Sequence, residues 1–455
     1  MRVLPNVLVA LAIWVAIMAG AASAQDIWGE VVRESEERVG TTPARAGDRA
    51  AQEVLVRSIL ADGLTRDEAV ELALRNNSQL QVAFDELGIA AADLDQAGLY
   101  TNPSLDAVLR FPSGEGGTNL EAELSFVLSD IWLVPIRRSL GQARLEQVTA
   151  QVISDVLNTA ADAKQAYDHC LVLDSLLAQT GEIASTVRKW RDQVHERYEH
   201  GYSSQLDLSM ADAAAAEMDV DLEVTEAERR IALARLGRLL GLTAEHDLVV
   251  VGSLPDVPSE LPDLDEVTRR ALAERPDLQA ARAGLLAADR ALLLERHSRW
   301  RHVAVGPAYA HEPDGEDLWG LVLQFDLPVF DANRAQRRRA AAELTQAQNQ
   351  VHAVESLVRE EVATAWERLA LATSKERGVR DQILPARRRA FEHAQKYWRE
   401  MQLNTLYMLE AQREFAEAKR QHVAALGEVQ RAHVELEFAL GGKLALGQPP
   451  GRAGD

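Results

Sequence analysis

The sequence predicts a mostly α-helical chain with a small β part, built as a duplicated unit of long coiled-coil helices and two β-hairpins. Three observations carry this. Landmarks recur along the 455 residues at a nearly constant spacing, three short stretches alternate along their length and a fourth takes the matching place in the second copy, and a long proline-free segment repeats its apolar positions every three or four residues.

The duplication sets the frame. Asp67-Glu68, Ala73-Leu74 and Leu80 match Asp265-Glu266, Ala271-Leu272 and Leu278, a shift of 198, while Leu236, Leu240 and Gly241 match Leu436, Leu440 and Gly441, a shift of 200. Repeat 1 is placed at 63–243, an equatorial linker at 244–262, repeat 2 at 263–443 and a tail at 444–455.

Ahead of the repeats, Arg2, an apolar run from Val7 to Met18 and Ala22-Ser23-Ala24 have the layout of a Sec-type signal peptide over 1–24. The mature chain is then expected to start at Gln25, outside the cytoplasm, and a Gln there excludes the acylated cysteine of a lipoprotein. No later stretch approaches ~20 unbroken apolar residues, so any membrane insertion must use strands. A net charge of −21 disfavours a nucleic-acid partner. Cys170 is the sole cysteine, which rules out an intrachain disulfide and a Cys-based metal site. Residues 25–62, with Gly40, Pro43 and Gly47, read as a partly ordered N-terminal arm.

In repeat 1, Ala69, Leu72, Ala73, Leu80, Ala83 and Leu87 form the apolar stripe of a helix from about Thr65 to Gln96, stopped by Pro103. A β-hairpin follows at about 103–128. Leu105, Ala107, Leu109 and Phe111 alternate in its first strand and Leu120, Ala122, Leu124, Phe126 and Leu128 in its second, with the turn at Pro112-Ser113-Gly114 and Gly116-Gly117. A helix from Ile136 to about His200, with Ile153, Val156, Ala160, Ala163, Tyr167, Cys170 and Leu177 on its seam, would be about 100 Å long. The return helix, from about Leu206 to Leu240, is half that.

Repeat 2 follows the same plan, with a helix from about Leu264 to His297, a hairpin at about 300–327, a second long helix that Pro385 should kink, and a return helix. Trp319, Leu321, Leu323, Phe325 and Leu327 alternate up to Pro328, and Asp331 opens the helix; the same junction is expected at Pro135 in repeat 1. Trp132, Trp300 and Trp319 fall at strand ends, where an interfacial aromatic belt would put them, although such hairpins also suit a soluble sandwich. Four strands cannot close a membrane barrel around a pore, and an open edge in lipid is forbidden, so several copies must contribute.

These landmarks resemble the TolC-like outer-membrane efflux protein family over most of the mature chain. The residues that carry the resemblance are Ala69-x3-Ala73-Leu74-x2-Asn77-x2-Leu80, Asn102-Pro103-x-Leu105, Leu327-Pro328-Val329-Phe330-Asp331, and Arg197-Tyr198-x2-Gly201-x2-Ser204-x-Leu206-Asp207. Met401-Gln402-Leu403, Leu409-Glu410-Ala411 and the ending Leu436-Glu437-x2-Leu440-Gly441-Gly442 resemble its heavy-metal efflux branch.

The resemblance implies a homotrimer. Its strands would form a twelve-stranded barrel in outer-membrane lipid, continued by a periplasmic α-helical barrel, as the passive exit duct of a tripartite pump. The partners it implies are a periplasmic adaptor (membrane fusion) protein and an inner-membrane RND-type transporter. Asn404 stands where that branch usually has Gly, and Asn can take the left-handed geometry at some cost.

The candidate site residues lie in the two helix-to-helix tips, 201–207 and 401–407. Gly201 can supply a positive φ, Ser204 can cap the next helix, and Asp207 suits its N-terminal end. With the resemblance, Gly201, Ser204, Leu206, Asp207, Met401, Asn404 and Leu406 become adaptor-docking candidates, and Pro135 and Pro328 mark the strand-to-helix junctions.

His195 and His200 are five apart and share no helix face, and His297, His302 and His311 flank the strands of repeat 2, so all read as solvated rather than as metal ligands. Arg137-Arg138 and Arg337-Arg338-Arg339 read as solvated residues just under a membrane. No G-x-S-x-G, H-E-x-x-H or P-loop is present, and no cofactor or enzyme activity is expected. An export duct for heavy-metal cations is the favoured reading. A duct for drugs and other small organic compounds or for type I secretion, and a soluble periplasmic coiled-coil scaffold, are the alternatives.

Overall fold

The computed structural model describes residues 24–45, 49–111, 117–242, 248–254, 257 and 261–443. The predicted signal peptide up to residue 23, the turn residues Pro112-Ser113-Gly114 and Gly116, the linker prolines Pro255 and Pro258, and the tail after 443 lie outside them. The chain divides into two compact units, one drawn from Met1–Val32, Asp85–Val152 and Asp277–Val354, the other from Arg33–Phe84, Ile153–Pro276 and Glu355–Asp455.

The N-terminal arm is more regular than expected, with helices α1 (Ala24–Val39) and α2 (Arg49–Leu60). In the first repeat come α3 (Arg66–Asn76), α4 (Ser78–Ala97), β1 (Ser104–Arg110), β2 (Asn119–Val127), α5 (Asp130–Glu199, 70 residues) and α6 (Gln205–Leu239, 35 residues). The second has α7 (Leu264–Glu274), α8 (Pro276–His297), β3 (Val303–His311), β4 (Asp317–Phe325), α9 (Arg334–Gly378), α10 (Leu384–Arg399) and α11 (Thr405–Ala439, 35 residues).

Four expectations change. The helix read over Thr65–Gln96 is broken at Asn77, which has extended backbone, accepts on its side chain from the Gln79 and Leu80 N–H groups, and donates to the Leu239 carbonyl. A polar side chain able to cap a new helix and reach a neighbouring helix end makes the break affordable. The helix read over Leu264–His297 breaks at Arg275, because the residue before Pro276 is driven from the helical region.

The kink expected at Pro385 takes the form of a π-turn, Val379–Ile383, closed by Leu384 N–H on the Val379 carbonyl. Widening the turn just before a proline relieves its clash with the preceding carbonyls. Finally, the two junction prolines are not equivalent. Pro135 lies inside α5, which already starts at Asp130, whereas Pro328 precedes α9, which starts at Arg334. Asp130 explains the early start: it is buried, accepts from the Thr101 N–H at 2.6 Å and pairs with Arg137 at 2.8 Å.

In the unit holding the strands, the four form one antiparallel sheet in sequence order, β1-β2-β3-β4. The sheet is tied to α5 by the Leu128 N–H on Val303 and the Ser129 hydroxyl on Arg301. The other unit is helical, with Leu72, Leu74, Leu80, Tyr167, Leu236 and Leu369 fully buried. There the linker is pinned by a parallel bridge between Leu64 and Val250 and by Tyr167, whose hydroxyl donates to the Val251 carbonyl. Burial pushes that phenol up to about 12, and likewise the Cys170 thiol. Asp168 beside it is buried against Arg66 at 2.8 Å; desolvation raises its carboxyl, and the guanidinium opposes the rise.

Candidate functional site

The sheet sorts its residues into two faces. Registers Leu105↔Leu124, Ala122↔Tyr309 and Tyr309↔Trp319 put Leu105, Leu109, Leu124, Val305, Leu321 and Leu323 on one side, which is apolar across most of its width. Much of it is uncovered, with Leu105, Leu109, Trp319, Leu321, Leu323 and Phe325 all exposed. An exposed apolar face of that extent marks contact with something other than water. The opposite face carries Asp106 across from Glu123, Glu121 paired with Arg110, and Gln324. Alternation thus separates an oily side from one that is charged along β1 and β2 and lined by small or apolar residues and Gln324 along β3 and β4, as a barrel wall between lipid and an aqueous lumen allows.

Within the chain the outer edges of β1 and β4 pair with nothing among the described residues. Gly306 makes the tight β2–β3 contact possible, because a Cβ there would lie 1.6 Å from the Leu124 carbonyl oxygen.

In the helical unit, the two tips use one design. Gly201 (φ 78°) and Met401 (φ 58°) take the left-handed position after α5 and α10. Tyr202 N–H then bonds the Arg197 carbonyl at 2.8 Å, and Gln402 N–H the Tyr397 carbonyl at 2.9 Å, closing the same helix-ending motif. Ser204 caps α6 reciprocally with Asp207: Asp207 N–H donates to Ser204 Oγ at 3.1 Å, and Ser204 N–H donates to the Asp207 carboxylate at 2.9 Å. Asn404 caps α11 through Leu406 N–H at 3.1 Å.

Here one expectation is corrected: Asn404 has extended backbone (φ −69°), and the left-handed residue is Met401. The reason is positional, since the cap of the incoming helix must be extended and the residue ending the outgoing one must turn left.

The structure also joins the tips, which the sequence did not indicate. The Ser204 hydroxyl donates to Asp207, and with further donation from the Ser204 N–H and the Thr405 hydroxyl it holds the carboxyl below its usual range. Arg197 lies 3.8 Å from the centroid of the Trp398 ring and donates to its carbonyl at 3.3 Å. Trp398 in turn packs on Trp190, Val194, Ala211, Ala394 and Met408. Outside this core Tyr202, Leu206, Met401, Leu406 and Tyr407 stand exposed, a compact apolar crown on polar helices.

Four of the histidines singled out in the sequence have local partners. His200 and His297 contact the carbonyl four residues back, His195 lies 3.7 Å from Glu199, and His311 contacts Asp317. No group of three or more His, Cys, Asp or Glu among the described residues could hold a metal ion.

No family model matches the chain. It is 22% identical to the cobalt-zinc-cadmium resistance protein CzcC of Cupriavidus metallidurans, over 84% of this chain and 91% of that protein. To the pyoverdine export outer membrane protein OpmQ of Pseudomonas putida it is 26% identical, over 83% of this chain and 85% of that one. Its structure superposes on the outer-membrane channel OprN with a TM-score of 0.71, covering 83% of this chain and 90% of that one at 22% identity. The chain has the fold of a TolC-like outer-membrane efflux channel.

In that channel fold the two-faced sheet and the long helices have their places. These relatives are resistance and export proteins rather than enzymes. Their names differ in what they point to, however, one being named for cobalt, zinc and cadmium resistance and the other for pyoverdine export.

Proposed function

We propose that this protein is the passive exit duct of a tripartite efflux pump and that its cargo is heavy-metal cations. Three copies would supply twelve strands and close the sheet edges left open in one chain. The observation that supports the duct most directly is the sheet itself, one face apolar and exposed, the other bearing Asp106, Glu121 and Glu123. A carboxylate-lined wall favours cations over anions. The likeness to CzcC along 84% of the chain supports the metal cargo, and the apolar crown around Gly201, Ser204, Leu206, Asp207, Met401, Asn404 and Leu406 supports docking on a periplasmic adaptor, with an inner-membrane transporter supplying the energy.

A deletion strain challenged with cobalt, zinc and cadmium salts, and in parallel with hydrophobic drugs and an iron-chelating siderophore, tests the cargo. Sensitivity to the metals, restored by the wild-type chain but not by Leu206→Asp at unchanged membrane level, is the expected result. Sensitivity to the organic compounds alone would overturn the metal assignment, and full resistance with Leu206→Asp would remove the tip from the docking surface.

A further inference from the structure

Between β4 and α9 the chain leaves the sheet through Leu327, Val329 and Phe330, which are 69%, 73% and 103% exposed. A phenylalanine with no covering atoms, beside two more uncovered apolar side chains, is a surface with an occupant missing. β4 ends at Phe325 and Leu327 follows two residues on, so the uncovered segment adjoins the apolar face of the sheet, with Trp319, Leu321, Leu323 and Phe325, at its helix-side end. Ile131 and Trp132, at the start of α5, and Trp300, just before β3, are exposed too and belong to the chain segments that enter or leave the same end of the strands.

Directly after this rim come Arg334, Arg337 and Arg338. All three are exposed and make no ion pair among the described residues. Their position is electrostatically wrong for a helix alone: they lie in the first turns of α9, which has no acidic residue in its first turn, where the helix dipole disfavours cations. The nearby acids are engaged elsewhere. Asp331 accepts from Asn333 N–H at 2.8 Å, and Glu295 accepts from the Asn333 side chain at 2.7 Å. In a chain of net charge −21, three uncompensated arginines packed into five positions ask for an anion from outside.

We propose that this rim docks on anionic phospholipid, with Leu327, Val329 and Phe330 at the acyl boundary and Arg334, Arg337 and Arg338 on headgroup phosphates. The inference rests on the membrane reading of the sheet. Two features select a phospholipid over a second copy of the chain. The rim is continuous with the face that meets the bilayer, and its apolar-then-arginine order matches the order of depth in a leaflet, hydrocarbon first and phosphate a few ångströms further. Arginine's planar fork fits phosphate in two-point contact, whereas lysine would offer only a point charge. The anchor gives the channel a fixed depth, set by the lipid.

The test uses the full-length channel in liposomes of phosphatidylglycerol or of phosphatidylcholine, with a nitroxide on Phe330→Cys; the buried Cys170 stays unlabelled. Oxygen and a nickel chelate should report a label at interfacial depth, less open to the chelate in phosphatidylglycerol. In the unlabelled protein, phosphatidylglycerol should be retained through detergent washing in preference to phosphatidylcholine. Each of Arg334→Gln, Arg337→Gln and Arg338→Gln should lower that preference about fivefold. A label shielded from both reagents would mean that another protein surface covers Phe330, and unchanged lipid preference in the triple variant would remove the arginines; either overturns the proposal. A chain that never enters liposomes would fail the membrane reading as well, an outcome distinct from insertion without lipid preference.

Discussion

Met401 and Gly201 end their helices in the same left-handed conformation, but only one of them is suited to it. An L-residue held there costs roughly 1–2 kcal/mol relative to glycine. Met401→Gly is therefore expected to stabilise its tip by about 1 kcal/mol, and Gly201→Ala to weaken the other by about as much. Amide exchange at Gln402 and Tyr202, whose N–H groups close the two turns, would register the changes as slower and faster opening respectively. The neighbouring Asp207 adds a pH dependence whose sign follows from its partners. The Ser204 hydroxyl leads the groups that depress its carboxyl in the folded state, so the stabilisation is present above the unfolded value of about 3.9 and is lost as pH falls through the lower folded value. Protection of the first turn of α6 should hold steady at neutral pH and drop in acid below pH ~4, and Asp207→Asn should abolish that dependence.

At the scale of elements, the β2–β3 pair depends on a missing side chain. Gly306 lets the Leu124 carbonyl approach, and Pro307 beside it has no N–H to give the ladder, so Gly306→Ala forces apart strands that are already short of a bond. A cost of about 3 kcal/mol is expected, read as loss of the heat-resistant oligomer on gels, while Gly320→Ala, with open space around it, should be close to neutral. The strands themselves were legible in the sequence to within a few residues, because a two-faced sheet imprints period two on β1, β2 and β4, and β3, whose second face is only Ala304, Gly306, Ala308 and Ala310, is placed by the duplication. Both helix breaks escaped the sequence reading, for different reasons: Pro276 does mark the break at Arg275, but the periodic pattern continues past it, whereas at Asn77 the apolar stripe runs straight through and the break is held by a hydrogen bond to Leu239 far along the chain. The same limit applies to the tips. The Ser204–Asp207 cap is local and readable, whereas the meeting of Arg197 with Trp398 and of Asp207 with Thr405 joins residues about 200 positions apart and leaves no periodic trace. The left-handed turn at Met401 left no trace either, because methionine carries no signal for it, and the sequence raises that geometry at Asn404 instead.

For the whole molecule, the argument turns on which face of the sheet meets lipid, and two adjacent residues can decide it. Leu323 and Gln324 are neighbours near the helix-side end of β4, paired with Val305 and Ala304, so they share backbone environment and lie at nearly the same depth but point to opposite faces. If the apolar face meets hydrocarbon and the face with Asp106 and Glu123 lines water, an arginine at the first position must bring a charge to the lipid side, at a cost that falls from about 2–4 kcal/mol at the midplane to about 1 kcal/mol toward the interface, and the same change at the second adds a cation to a solvated wall. Leu323→Arg should thus lower the yield of membrane-inserted oligomer and shift its urea unfolding midpoint down, with Gln324→Arg nearly silent in both. The Gln324→Arg variant has a second, independent signature, because a cation on the carboxylate-bearing side of the wall should reduce cation over anion permeability in planar bilayers while leaving assembly intact. Equal damage from both substitutions would mean that both faces are packed against protein, the arrangement of a soluble sandwich, and the channel reading would have to yield to it.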